Sequence, residues 1–327
     1  MAPSAFTADF PPQPWSGRFD GDGGGHRRWW QAVSPYAPGA ESSDSPGHDS
    51  AAPLTARPAV ILGFASDEGV RRNKGRTGAA LAPAAIRGAL GPLAFHLDRT
   101  VCDAGDVVVS DGALEAGQAR AGHAITAMLD AGRLTVVLGG GHETAFASYL
   151  GVAGSDAVRG GKRLGILNLD AHFDLRDEAL PSSGTPFRQM AEAEAAAGRE
   201  FRYAVVGISE PNNTRALFNT AERLGVRYLP DEDCTAERVR EFVAAFLARV
   251  DVLYLTIDLD VLPASVAPGV SAPAAYGVPL PVISAVCRQV AESGKLLHLD
   301  VAELNPEFDI DGRTAKVAAR LVNTLLR

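Results

Sequence analysis

From Pro58 onward, short apolar runs alternate with longer stretches of helical periodicity. The runs cover 59–64 (AVILGF), 106–109 (DVVV), 135–139 (TVVLG), 164–170 (LGILNLD), 203–209 (YAVVGIS), 226–229 (VRYL), 252–258 (VLYLTID) and 296–300 (LLHLD). Each is apolar at successive positions, as a strand covered on both faces must be. Helices are predicted over 113–132, 187–198, 236–250 and 282–294, and the chain closes in another that carries Lys316, Arg320 and Arg327. Such alternation predicts an α/β fold with one mostly parallel sheet of about eight strands and helices on both faces. Ligands of these sheets bind at the carboxyl ends of the strands.

The pattern fails before residue 58. Residues 1–57 hold 8 Pro and 7 Gly, and ESSDSPGHDS lies among them. Residues 35–58 therefore read as a flexible linker. Yet Trp15, Trp29 and Trp30, all the tryptophans of the chain, fall in this part. Because indoles are large and usually buried, residues 14–34 are expected to form an arm packed on a single domain spanning 58–327.

Of the 327 residues, 46% are hydrophobic and 21% charged, with a net charge of −8. That balance disfavours nucleic acid and anionic membranes as partners. No apolar run approaches the ~18 residues of a spanning helix. MAPSAFTADF has no basic region followed by an apolar one, so a secretory signal is not expected and a cytoplasmic location is. Cys102, Cys234 and Cys287 are too scattered for a zinc motif or a disulfide framework, and read as reduced thiols.

Polar groups gather where the predicted strands end. After 135–139 come Gly140, Gly141, His142 and Glu143, and after 164–169 comes Asp170-Ala171-His172-Phe173-Asp174. Asp258 and Asp260 follow 252–257, and Glu303 follows 296–302. On extended backbone, positions i and i+2 face the same side, so D-x-H-x-D presents three ligand-capable groups together. Singly, His142 reads as a turn residue, and Asp258 and Asp260 as caps or solvated charges. Together they place four carboxylates and two imidazoles at one rim, where unpaired charge would repel strongly. Two divalent cations would cancel that charge. Oxygen and imidazole without thiolate suit manganese, and carboxylates able to bridge suit a two-metal cluster. GGGHE lacks both the Lys-Ser/Thr of a phosphate loop and the spacing of a dinucleotide fingerprint. His298, inside an apolar run, reads as a core histidine.

The segments GGGHE, LNLDAHFDLR, TIDLDVLPASVAPGVSAP and DVAELNP resemble the ureohydrolase (arginase/agmatinase) family over residues 58–327. The resemblance implies a three-layer αβα sandwich and two Mn²⁺ per subunit. His142, Asp170, Asp174 and Asp258 would hold one ion, and Asp170, His172, Asp258 and Asp260 the other. Asp174 and Glu303 would be catalytic, with Glu303 bonding the amidine nitrogens of the substrate. Relatives commonly assemble, so a homo-oligomer is expected.

One loop departs from the arginase and agmatinase pattern, which usually has His before the Gly of the loop after D-x-H-x-D. Here Ser183 stands at that place. SSGTPFRQ, APGVSAPAAYGV and GFASDEGVRRNKGRTGAA are similar instead to the branch that hydrolyses N-formimidoyl-L-glutamate to L-glutamate and formamide in histidine degradation. That substrate carries two carboxylates and agmatine none, so its pocket needs cations. Arg176 and Arg188, with Arg76 from the basic run Arg71, Arg72, Lys74 and Arg76, are the candidates, and Ser183 lies beside them. Arg176 could instead pair with Asp177 or Glu178. An amidinohydrolase for another carboxylated guanidine such as guanidinobutyrate, or less so agmatine, remains open. So does a metal-binding protein without turnover.

Overall fold

The computed structural model describes residues 8–38 and 57–327. Its nine strands are β1 (Ser34–Pro35), β2 (Ala59–Ala65), β3 (Val101–Val108), β4 (Leu134–Leu138), β5 (Leu164–Leu169), β6 (Tyr203–Ile208), β7 (Arg227–Pro230), β8 (Val252–Asp258) and β9 (Leu296–Ala302). They form one sheet in the order β1-β3-β2-β4-β9-β8-β5-β6-β7. Every ladder between them is parallel. The sheet is thus fully parallel and has one strand more than the hydrophobic runs predict.

Alternation along the strands sorts side chains into two cores. Ile61, Val136, Leu167, Leu255 and Leu299 face helices Ala82–Leu90, Ala236–Leu247, Leu280–Glu292 and Arg313–Leu325. Val60, Val137, Ile166, Tyr254 and Leu297 face the opposite layer, with Leu114–Asp130, Thr144–Gly154 and Pro186–Ala196. The period of two that directs successive side chains to opposite faces makes this a three-layer sandwich.

Two differences from the sequence reading have local causes. The extra strand, β1, is two residues of the N-terminal arm paired with Cys102 and Asp103, too short to carry a pattern. And β3 begins at Val101, not 106, because Asp103 is buried inside it. Its charge is met by a two-pronged contact from Arg87 at 2.9 Å and by the Trp15 indole N–H at 2.7 Å. A paired carboxylate can sit in a sheet where an unpaired one cannot.

Trp29 is completely buried, stacked on Trp15 and edge-on to Phe95. Its indole N–H donates to Asn323 Oδ1 on the last helix at 3.0 Å. Residues 39–56, most of the expected linker, lie outside the described residues. We expect Trp29→Ala to cost about 3–5 kcal/mol of stability, the range for truncating a buried aromatic. Denaturant unfolding checks this. The three cysteines are free, and burial pushes the Cys234 and Cys287 thiols up to about 12. Among the described residues no helix is long and apolar enough to cross a membrane.

Candidate metal centre and substrate cleft

Four adjacent strands, β4-β9-β8-β5, carry the candidate residues at their carboxyl ends. After β4, a glycine run passes under the loop from Ser66, and a Cβ at Gly140 would come within 1.7 Å of the Ser66 carbonyl oxygen. This close approach delivers His142 to the rim. After β5, Asp170 continues the strand direction, and Asp174 follows on left-handed backbone with φ of 47°. Glu303, after β9, is also left-handed, with φ of 68°. Non-glycine residues rarely adopt this conformation, and they gather where function outweighs strain.

His142 Nδ1 lies 2.9 Å from Asp174 Oδ2 and 3.2 Å from both Asp170 Oδ2 and Asp258 Oδ2. His172 Nδ1 lies 3.0 Å from Asp260 Oδ2 and 3.5 Å from Asp170 Oδ1. Among the described residues two groups form, His142/Asp170/Asp174/Asp258 and Asp170/His172/Asp260; Asp170 is common to both, while Asp258, expected to serve both ions, falls in the first alone. In each, the ligand-capable atoms lie within 4.8 Å of one another.

Neighbouring groups aim these donors. Asn168 Nδ2 donates to Asp170 Oδ2 at 2.8 Å, and the His172 main-chain N–H to Asp170 Oδ1 at 2.6 Å. The Asp260 main-chain N–H donates to Asp258 Oδ1 at 2.8 Å. His142 Nε2 is 3.0 Å from the Thr256 hydroxyl, and Phe187 meets the imidazole edge-on. The tautomer that donates Nε2–H to Thr256 leaves the Nδ1 lone pair facing three carboxylates.

The electrostatics call for positive charge. Burial, then Asp260 and Asp170, push the Asp258 carboxyl well above the usual range. Burial, then Asp170, raises Asp174 as well. Burial opposes protonation of His142, yet hydrogen bonds with Asp170, Asp174 and Asp258 lift it well above an ordinary histidine. The cluster thus takes up protons where cations would serve, and an oxygen/imidazole set of this kind exchanges protons for a divalent metal. The residues fit a manganese pair.

A family model described as the Arginase family matches residues 57–327. The chain belongs to the arginase family. This arginase-family chain is 57% identical over 316 residues to the formimidoylglutamase of Nocardia farcinica, covering 97% of this chain and 96% of that one. It is 47% identical to the formimidoylglutamase of Chromobacterium violaceum, covering 96% and 97%. Its fold matches the crystal structure of oxidized Trypanosoma cruzi formiminoglutamase with Mn²⁺ at a TM-score of 0.72 and 25% identity, covering 85% and 94%. The arginase-family chain is accordingly a hydrolase of C–N bonds.

Above the cluster opens a cleft of about 300 Å³. Arg176, Arg76 and Ser183 line it, as do Asn73, Lys74 and Asn213. Arg176 pairs with neither Asp177 nor Glu178. Its stem lies on Gly184, where a Cβ would come 2.7 Å from Arg176 Cδ, and its guanidinium has no partner among the described residues. The Lys74 ammonium likewise has no partner among the described residues and is carried on backbone with φ of 62°. Arg76 is more committed, donating to the Ser271 and Val270 carbonyls and lying 3.9 Å over the Phe308 ring. Ser183 accepts from Asn73 Nδ2 at 3.1 Å.

The structure does not bring Arg188 to the cleft. It sits on helix Pro186–Ala196, where Glu192, four residues on, takes its Nε at 2.6 Å, and Asp177 lies 3.5 Å away. Helical geometry turns the side chain toward the i+4 acid instead. Arg71 and Arg72 are likewise held by Glu68, and Arg72 also by Glu115. His298 is a core histidine: burial brings it down to about 3, and Nδ1 is 2.6 Å from the Thr135 hydroxyl. Sequence reasoning passed over Thr256, Asn168 and Asn213, and placed Glu143 at a strand end without giving it a role. Thr256 and Asn168 had a signal, being polar residues within otherwise apolar strands.

Proposed function

We propose that this chain hydrolyses N-formimidoyl-L-glutamate to L-glutamate and formamide, using two manganese ions, in cytoplasmic histidine degradation. The observation that carries the reading is 57% identity to a formimidoylglutamase over nearly the full length of both chains. The free cations Arg176 and Lys74 on the cleft wall support it, since they suit a substrate with two carboxylates.

His142, Asp170, Asp174 and Asp258 would hold one ion, and Asp170, His172, Asp258 and Asp260 the other. When bound, the ions supply Lewis-acid activation of water near neutral pH. Asp174, aimed into the cleft by its left-handed backbone, takes the proton of the attacking water and delivers it to the leaving glutamate nitrogen. The bond between that nitrogen and the formimidoyl carbon breaks, and the imino nitrogen leaves with formamide. Glu303 receives the His142 main-chain N–H at 2.7 Å on one oxygen. Its other oxygen meets the substrate amidinium. Burial, then Glu143, raises the Glu303 carboxyl to about 8, and a cationic partner favours its ionised form. Arg176 and Lys74, with Arg76 and Ser183, hold the carboxylates and set the reacting geometry.

The test is formamide release from N-formimidoyl-L-glutamate by manganese-loaded protein, abolished by chelation. Urea release from 4-guanidinobutyrate, with no formamide from the first substrate, would overturn the assignment. A second prediction concerns Thr256. Thr256→Val keeps the shape but removes the acceptor for His142 Nε2–H. Manganese affinity should fall about 10–100-fold, as when other outer partners of ligating histidines are lost, and Thr256→Ser should restore it. Titration calorimetry reads both.

A further inference from the structure

Glu143 follows His142 in sequence but does not line the cleft. Its side chain is fully buried against the segment that leaves β2, in which Glu68–Arg72 form a short helix. Oε1 accepts the Ser66 hydroxyl at 2.7 Å and the Gly69 main-chain N–H at 2.9 Å. The Glu143 carbonyl accepts from Gln118 Nε2 at 2.9 Å, fixing its base to helix Leu114–Asp130. Space is shaped for this carboxyl. A Cβ at Gly69 would come 2.5 Å from Oε2, and one at Gly141 2.2 Å. The Gly141 N–H also donates to the Ser66 carbonyl at 3.0 Å. Just beyond helix Glu68–Arg72, the same segment presents Asn73, Lys74 and Arg76 to the cleft. Its far end is tied by Gly78 N–H to Asp67 and by Arg76 N–H to the Ser271 hydroxyl.

We propose that Glu143 is a positioning residue, a strut between the metal-ligand loop and segment 66–76, with its short helix Glu68–Arg72, which sets where Lys74 and Arg76 meet the substrate carboxylates. As a strut it governs substrate affinity and specificity for an anionic substrate, separately from the charge it places near Glu303. The inference rests on the proposed substrate, but the strut itself can be read without it. Both hydrogen bonds end on one oxygen, so glutamine preserves them and alanine removes both.

The experiment compares manganese-loaded full-length protein with E143Q, E143A and S66A. KM and kcat are measured on N-formimidoyl-L-glutamate, along with manganese content and hydrogen exchange over 66–76. E143A should raise KM about tenfold, and S66A, which keeps the Glu143 charge near Glu303, should leave kcat within about threefold. The manganese content of E143A should stay intact and exchange at 66–76 should accelerate. E143Q should restore KM to within about twofold, and S66A, which lies off the ligand loop, should raise it about threefold. Wild-type KM in E143A, or a fall in manganese content or kcat with KM unchanged, would overturn the proposal. If E143A does not fold, S66A decides, and wild-type KM and exchange there would also overturn it. If the wild type releases no formamide, the substrate assignment fails, while the exchange comparison still decides whether the strut exists.

Discussion

Asp258→Asn is expected to abolish manganese retention and to lower formamide release by about three orders of magnitude or more. Asparagine has nearly the same shape and can still accept the Asp260 main-chain N–H that Asp258 Oδ1 receives at 2.8 Å. What it removes is one negative charge 3.2 Å from His142 Nδ1. The variant therefore separates charge from packing. A second readout sharpens the result. Burial and two neighbouring aspartates raise the Asp258 carboxyl well above its unfolded value. An acid raised on folding destabilises the fold at pH above the unfolded value, and that penalty disappears as pH falls and the group protonates. At neutral pH the metal-free variant should therefore be at least as stable as the metal-free parent. Only the rise in melting temperature on adding manganese should be lost. Full activity with two retained ions would refute the ligand assignment. A metal-free variant that melts far below its parent would show that Asp258 serves the fold instead.

Arg176→Ala should raise KM for N-formimidoyl-L-glutamate about a hundredfold with a much smaller change in kcat. Arg176 is exposed at the cleft, its stem seated on Gly184 and its guanidinium unpaired with any acid among the described residues. A charge held ready but unpaired is suited to a ligand carboxylate, and loss of such a contact weakens binding in ground and transition states alike. Arg176→Lys should recover part of the loss, because a point charge replaces the two-pronged fork. Steady-state kinetics with manganese content as a control decide it. An unchanged KM would assign the carboxylates to Lys74 and Arg76 alone.

The eight long strands were legible because burial on both faces leaves continuous apolar runs such as VLYLTID. β1 left no such trace, and β3 was shortened because Asp103 interrupts the pattern, its partners Arg87 and Trp15 being distant in sequence. The metal-ligand candidates were legible for a different reason. Alternate positions on a strand end share a side, so D-x-H-x-D and D-x-D announce convergence before any coordinates exist. The cations of the cleft wall were less so. Arg188 and Lys74 look equally placed on paper, but a helix directs the first to Glu192 while a left-handed turn leaves the second free. Glu143 and Thr256 act on partners 77 and 114 residues away, a relation that no local pattern encodes.

The indole of Trp29 and the amide of Asn323 join segments 294 residues apart in sequence. Synthesis supplies the first of them nearly three hundred residues before the second. This contact consequently cannot form until helix Arg313–Leu325 has been synthesised. A chain that stops before helix Arg313–Leu325 leaves the buried Trp29 indole without its hydrogen-bond acceptor.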